Sequence, residues 1–367
     1  MSGNLTVRRL AGGYKLECGL TETSIRLDMQ GRWSSFRQEG QFYRRCVDGS
    51  LVSGKGTSQL GQEEGLQVFI NARHWLISQG LQAEVIENPL LLEILHKAAS
   101  YRPDDYLELG SLYNKVYSEP VPILPPDRYQ DCVVQPAVGC PNRRCTFCAF
   151  YKDKPFAVVK KPDFEQHIDG IIGLLGKAEI QARGGLFMGS ANAMALSQRR
   201  LMECLEIIEN KLGCFPRGIA AFADPDFSAP RSRQDWKALA SRDIRRIIIG
   251  LETGWGELRG KLGKSDNLLK VRTAIKDIKA AGISVGITVL AGVCKPSAVN
   301  RHIDETLIFL QSLNLDEKDM IYISLLDENS VTHTAPFYEK RQLTLYLKRH
   351  LQAKVVPYQM QRFNYYA

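Results

Sequence analysis

No apolar run in the chain is long enough to cross a bilayer, which argues against an integral membrane protein. Met1 to Leu20 lack the basic, apolar and small-residue order of a secretory signal, so a cytoplasmic location is expected. No low-complexity tract and no repeat of solenoid period occurs. Histidine is scarce: His74, His96, His167, His302, His333 and His350 share no ligand spacing, and each reads as a surface or satisfied core residue. No long Lys/Arg block stands out, although the net charge is +8 and the whole excess lies beyond residue 130. A solvated surface explains that excess best; a face for an anionic substrate, cofactor or nucleic acid is the alternative. Nine cysteines is an odd number in a chain of 367 residues, too large to need disulfide staples, so free thiols in a reducing compartment are expected.

What is present divides in two. Residues 1–120 read as a small α+β domain, with short strands and turns to residue 58 and helices after residue 60. Asp48-Gly49 marks a hairpin. Gly49 to Thr57 falls one residue short of a phosphate-binding loop, because Gly56 stands where Ser or Thr must follow Lys55. Leu66, Phe69, Ile70, Trp75 and Leu76 recur at helical spacing, and a further helix starts after Asn88-Pro89. This part carries no catalytic motif of its own, and a role in substrate recognition is one expectation for it. Residues 121–130 form a Pro-rich connector. From 131 to 330 the pattern alternates between strand and helix, with six apolar strands beginning near Asp131, Gly185, Gly218, Ile244, Val285 and Met320. Residues 331–367 hold a last helix and a tail. Alternation of this kind predicts parallel strands with right-handed crossovers, and six units predict an open, partial (βα)6 barrel of TIM-like type.

The first strand leads into Gly139-Cys-Pro-Asn-Arg-Arg-Cys-Thr-Phe-Cys148, where Cys140, Cys145 and Cys148 are spaced C-x4-C-x2-C. Thiolates so close in sequence can ligate one metal centre from a single loop. Gly139 and Pro141 shape the loop, and Arg143 and Arg144 favour the thiolate. A structural zinc site wants a fourth protein ligand, and none lies nearby. The spacing also fits the start of a plant-type [2Fe–2S] run, which needs a fourth cysteine; the next is Cys204, several elements on.

The stretch Cys140 to Phe156 resembles the cluster loop of radical S-adenosylmethionine (radical-SAM) enzymes. That family usually has C-x3-C-x2-C with an aromatic before the last cysteine; Phe147 takes that place, and one residue is added between Cys140 and Cys145. The resemblance covers residues 131–326. It implies a [4Fe–4S] cluster on Cys140, Cys145 and Cys148, with one iron open to S-adenosyl-L-methionine. Reductive cleavage would give a 5′-deoxyadenosyl radical that abstracts hydrogen from a substrate. Gly189, Ser190, Ala191 and Asn192 resemble the turn that cradles the cofactor's amino group, and an ordinary βα turn is the alternative. Glu252, in Gly250-Leu-Glu-Thr-Gly254, would accept from the ribose hydroxyls. Lys264 would pair with the cofactor carboxylate, Ile287 would pack on adenine beside Phe147, and the backbone of Tyr322 to Ser324 would bond the adenine edge. A reducing partner such as flavodoxin or ferredoxin is implied. Cys204, Cys214 and Cys294 are isolated in sequence and support no second cluster, and cobalamin has no support either. Cys294 and Tyr338 are named only as side chains able to carry a radical. Two other readings stay open: a methyl or 3-amino-3-carboxypropyl transferase on the same scaffold, and a noncatalytic iron–sulfur or zinc protein.

Overall fold

The computed structural model describes residues 5–19, 21–54, 58–80, 89–189, 191–326, 335–360 and 363–367. They divide into two compact units. The first holds residues up to Pro120 with His167–Gly184 and Asn364–Ala367; the second holds Val121–Gln166 and Gly185–Phe363. Neither unit is therefore one continuous stretch of chain.

The first unit is built on an antiparallel meander of seven strands in sequence order: β1 (Leu5–Leu10), β2 (Gly13–Cys18), β3 (Thr23–Leu27), β4 (Trp33–Gln38), β5 (Gln41–Arg45), β6 (Leu51–Ser53) and β7 (Ser58–Gln59). Alternation puts Leu16, Ile25, Leu27 and Phe36 inside, each worth about 1.5–3 kcal/mol when fully buried. Helices α1 (Gln62–Gly80), α2 (Pro89–Ser100) and α3 (Pro103–Val116) follow. Trp33 is ringed by Phe36, Phe69 and Tyr106, with Phe69 stacked on Tyr106 at 4.6 Å. Ile70, expected on the apolar face of α1, is 43% exposed, so that face is narrower than the spacing predicts. Gly49 sits in a turn at φ +84°; Lys55, Gly56 and Thr57 of the near-miss phosphate motif lie outside the described residues.

The second unit opens with β8 (Cys132–Val134) and a two-stranded ribbon of β9 (Ala137–Val138) against β10 (Ala157–Val158). Helix α4 (Lys161–Leu175) begins in this unit and ends in the first, where α5 (Lys177–Ala182) also lies. There follow β11 (Leu186–Met188), α6 (Gln198–Leu212), β12 (Ile219–Ala223), α7 (Arg233–Ser241), β13 (Ile244–Glu252), α8 (Gly256–Lys261), α9 (Leu268–Ala280), β14 (Ser284–Ala291), α10 (Val299–Gln311), β15 (Met320–Leu325), α11 (Ala335–His350) and β16 (Lys354–Pro357). The helix boundaries have local causes. Ser197 caps α6 by accepting from the Arg200 N–H, Ser232 and Asp235 form a capping box on α7, and Asn267 caps α9. Each such cap is worth about 1 kcal/mol. Leu201, Leu205 and Ile208 of α6, and Val271, Ile275 and Ile278 of α9, are buried at helical spacing.

All pairs in the main sheet are parallel, in the order β16-β15-β14-β13-β12-β11-β8. The strands therefore form an open parallel sheet with β8 and β16 at its edges, and the fold is mixed α/β. Six strands were expected and seven are present. The added strand, β16, is four residues long and ends in proline, so it carries no periodic signal of its own. No helix among the described residues is long and apolar enough to cross a membrane.

Candidate functional site

In a parallel α/β sheet, ligands gather at the carboxyl ends of the strands. The cysteine loop lies there, after β8, and β9 and β10 close its base. Gly139 (φ +67°) is needed at that closure: a Cβ would stand 2.2 Å from the Pro155 carbonyl oxygen. The far side of the loop docks on the turn after α8. Thr146 N–H donates to the Leu262 carbonyl at 3.0 Å, and the Asn142 side-chain amide donates to Gly263 O and to Cys145 Sγ, both at 3.2 Å. Gly263 (φ +80°) permits this, since a Cβ there would lie 2.1 Å from the Arg144 carbonyl oxygen.

Cys140, Cys145 and Cys148 are all free thiols. Burial pushes the Cys140 thiol up to about 11 and the Cys145 thiol up to about 12. Lys264, supplied by a distant part of the chain, is a cation that favours both thiolates. Arg143 and Arg144, expected to do so, are exposed, where water screens them.

Three free thiols on one loop are the donor set of an iron–sulfur centre that keeps one metal position open, whereas a structural zinc site wants a fourth protein ligand.

Beside Cys145 lies a buried ionic triad. Lys264, 6% exposed, donates to the Gly250 carbonyl at 2.8 Å and to Asp224 Oδ2 at 3.3 Å, and stands 3.3 Å from Glu252 Oε1. Burial disfavours the ammonium, yet Asp224 and Glu252 outweigh it and raise Lys264 above its ordinary range. Two hydrogen bonds and one ion contact thus engage Lys264, which was expected to face a cofactor carboxylate. Glu252 ends β13 in the left-handed region (φ +68°), at a register shift against β14, and its Oε2 accepts from Thr288 Oγ1 at 3.0 Å. A bulky non-glycine residue held there stores about 1–3 kcal/mol of strain, of the kind concentrated at functional sites.

Asp224, missed in the sequence, follows β12 in an Asp-Pro-Asp turn. Its Oδ1 accepts from the Asp226 N–H, and Asp226 Oδ2 pairs with the fully buried Arg259 at 3.0 Å. An acidic turn ending an apolar strand was the available signal.

The remaining expected residues fall unevenly. Gly189 and Asn192 are buried at the end of β11, and Asn192 bonds the Asp224 carbonyl at 3.4 Å and Ser228 Oγ at 3.3 Å. Ala191 is half-buried beside them, as is Phe147 on the cysteine loop. Ser190 lies outside the described residues. Ile287 is fully buried, but Thr288 is the neighbour that reaches Glu252, and strand alternation turns Ile287 to the opposite face. The backbone of Tyr322 pairs with Thr288 on one side and Val356 on the other, and Ile323 pairs with Val289 and Pro357, so β16 occupies the edge expected to meet adenine. The Tyr322 hydroxyl donates to Asp127 at 2.7 Å; burial, with Asp127 beside it, raises that hydroxyl above its ordinary range. Ser324 is buried and pairs with Leu290 alone. Tyr338 is 60% exposed on α11.

No family model and no curated protein matches the chain. Among solved structures, the chain resembles several radical-SAM enzymes at low identity. It is 16% identical to the cobalamin-dependent S-adenosylmethionine radical enzyme OxsB, over 60% of this chain and 31% of that one, with a TM-score of 0.39. It is 12% identical to coproporphyrinogen III oxidase (HemN) from Escherichia coli, a radical SAM enzyme, over 61% and 54%, with a TM-score of 0.42. It is 14% identical to SuiB from Streptococcus suis bound to S-adenosylmethionine, over 98% and 72%, at 0.42. The chain thus spans about a third of OxsB's length and about half of HemN's. At these scores the reading of the site rests on its own residues.

Proposed function

We propose that the chain is a radical-SAM enzyme, with the parallel sheet as the partial barrel of that family. The observation that carries this is the three-cysteine loop at the carboxyl edge of the sheet, docked through Gly263 beside the strained Glu252 and its ion partners. Cys140, Cys145 and Cys148 would hold a [4Fe–4S] cluster, and Phe147 would flank the bound cofactor. Bound there and reduced, such a cluster would supply the electron for cleavage of S-adenosylmethionine, the source of a radical for hydrogen abstraction from a substrate.

The chain's own residues bind and orient. The small residues of Gly189 to Asn192 allow close approach of the cofactor's amino group. Glu252 keeps a lone pair on each oxygen beyond its bonds to Lys264 and Thr288, and would accept from the ribose hydroxyls. Lys264 holds Glu252 and Asp224 in place, so it acts on the cofactor through them. Burial around the triad excludes water, which positions reactants and protects a radical. A one-electron donor such as flavodoxin or ferredoxin completes the reaction.

The test is anaerobic. The full chain is reconstituted with iron and sulfide, reduced, and given S-adenosylmethionine, with Cys145→Ala alongside. The expected product is 5′-deoxyadenosine, at least a hundredfold reduced in the variant. A two-iron cluster or a zinc centre overturns the proposal. S-adenosylhomocysteine or methylthioadenosine as the product, with a four-iron cluster present, redirects it to group transfer.

A further inference from the structure

Three residues isolated in the sequence meet at a second place. Cys294 follows β14, His302 lies in α10 and Glu339 in α11. One donor atom from each lies within 4.8 Å of the other two, and this is the one such group of histidine, cysteine and acidic side chains among the described residues. His302 is 0% exposed and Glu339 1% exposed. Glu339 is pinned by both oxygens: Oε2 accepts from the Gly292 N–H at 3.0 Å, and Oε1 lies 2.7 Å from His302 Nδ1. That leaves His302 Nε2 buried with no hydrogen-bond partner among the described residues. A carboxylate on one imidazole nitrogen fixes the proton there and turns the other into a lone-pair donor, the arrangement that orients metal-binding histidines.

We propose that the Cys294 thiolate and His302 Nε2 bind one divalent transition-metal ion of the zinc class, separate from the cysteine loop, with Glu339 orienting His302 through Nδ1. Thiolate and imidazole are donor types that such an ion prefers, and a carboxylate on the second imidazole nitrogen strengthens the donor. Bonds of about 2.3 Å to sulfur and about 2.1 Å to nitrogen place two donors on a shared ion at most about 4.4 Å apart, so only a small closing of side chains is needed. A thiolate and a carboxylate also balance the charge of a divalent ion, which lets all three be buried together. A Cys–His nucleophile pair fits less well, because Nε2 makes no hydrogen bond to the Cys294 thiol. Two protein donors leave two positions of a tetrahedral ion open, and Cys294, the half-exposed member, marks the side from which water or small oxygen ligands reach them. The site stands beyond the carboxyl end of β14, the same edge of the sheet that carries the cysteine loop.

The experiment uses the full chain with Cys140, Cys145 and Cys148 replaced by alanine, so the cluster reading has no bearing on it. Cobalt(II) is titrated as the probe, and alkylation of the Cys294 peptide by iodoacetamide is followed by mass spectrometry with and without zinc. One equivalent of cobalt with a thiolate-to-cobalt charge-transfer band is expected. Cys294→Ser should abolish the band at unchanged circular dichroism, Glu339→Gln should weaken binding at least tenfold, and zinc should slow Cys294 alkylation at least tenfold. Equal alkylation rates with and without zinc in the folded chain overturn the proposal, and so does a cobalt band that survives Cys294→Ser.

Discussion

Both units bury charge, and they do it in opposite ways. In the first, Arg32 and Arg45 converge on Asp28 at 2.9 and 3.4 Å. Asp28 also accepts from the N–H groups of Gln30 and Arg32, while the arginines donate onward to the carbonyls of Leu174 and Trp33. Two cations share one carboxylate, the surplus is absorbed by backbone oxygens, and no residue of the cluster has positive φ. In the second unit one cation, Lys264, stands between two carboxylates, one of them on strained backbone, with cysteine thiols beside it. The first arrangement closes on itself between strands of a meander. The second sits at strand ends and carries an excess of negative groups facing a loop of metal-ligand type. Buried charge alone says little about function; its position on the sheet and the backbone beneath it say more.

The contrast can be broken by removing one cation from each cluster. Lys264→Met and Arg45→Met should each destabilise the chain by about 3–5 kcal/mol, because each strips a buried carboxylate of a partner. Denaturant unfolding measures that. The two should part in function: after Lys264→Met the folded fraction should lose S-adenosylmethionine cleavage, and after Arg45→Met it should keep it. Equal loss of cleavage per folded molecule would dissolve the distinction.

Gly263→Ala comes next. It forces a Cβ into the Arg144 carbonyl at positive φ, and should cost about 1–3 kcal/mol while releasing the cysteine loop. Iron content after reconstitution should fall with it, and full loading in the variant would show that docking on this turn is dispensable. Glu252→Gln keeps the size and the Thr288 contact but removes the charge. A lost charged hydrogen bond of about 1.5–3 kcal/mol predicts S-adenosylmethionine binding weaker by about tenfold to a hundredfold, read by equilibrium binding. An unchanged Kd removes Glu252 from the cofactor site. Ile287→Val should have the smallest effect, about 0.5–1.5 kcal/mol of stability with no change in cofactor affinity, because the side chain faces away from Glu252. A changed affinity would return Ile287 to the place the sequence reading gave it.

Short-range signals were legible. The spacing of Cys140, Cys145 and Cys148 and the apolar stripes of α6 and α9 are each contained within a few residues. Six strands of the parallel sheet announced themselves by apolar runs, whereas β16 and the β9–β10 ribbon were too short to do so. Glu252 stood out as a carboxylate after an apolar strand; Asp224, in an acidic turn after β12, carried a similar signal that went unread, and only its sharing of Lys264 with Glu252 leaves no local trace.

The sequence by itself determined that a loop of three closely spaced cysteines follows the first strand of an alternating β–α chain, because cysteine spacing and side-chain periodicity are properties of neighbouring residues. Only the tertiary structure decided that Lys264 lies close enough to act on the loop thiols, and that Thr288 shares a face with Glu252 in place of Ile287. It alone gathered Cys294, His302 and Glu339. A strand's period of two marks the alternation without saying which parity faces the site, and crossover connections bring together residues whose separation along the chain carries no pattern.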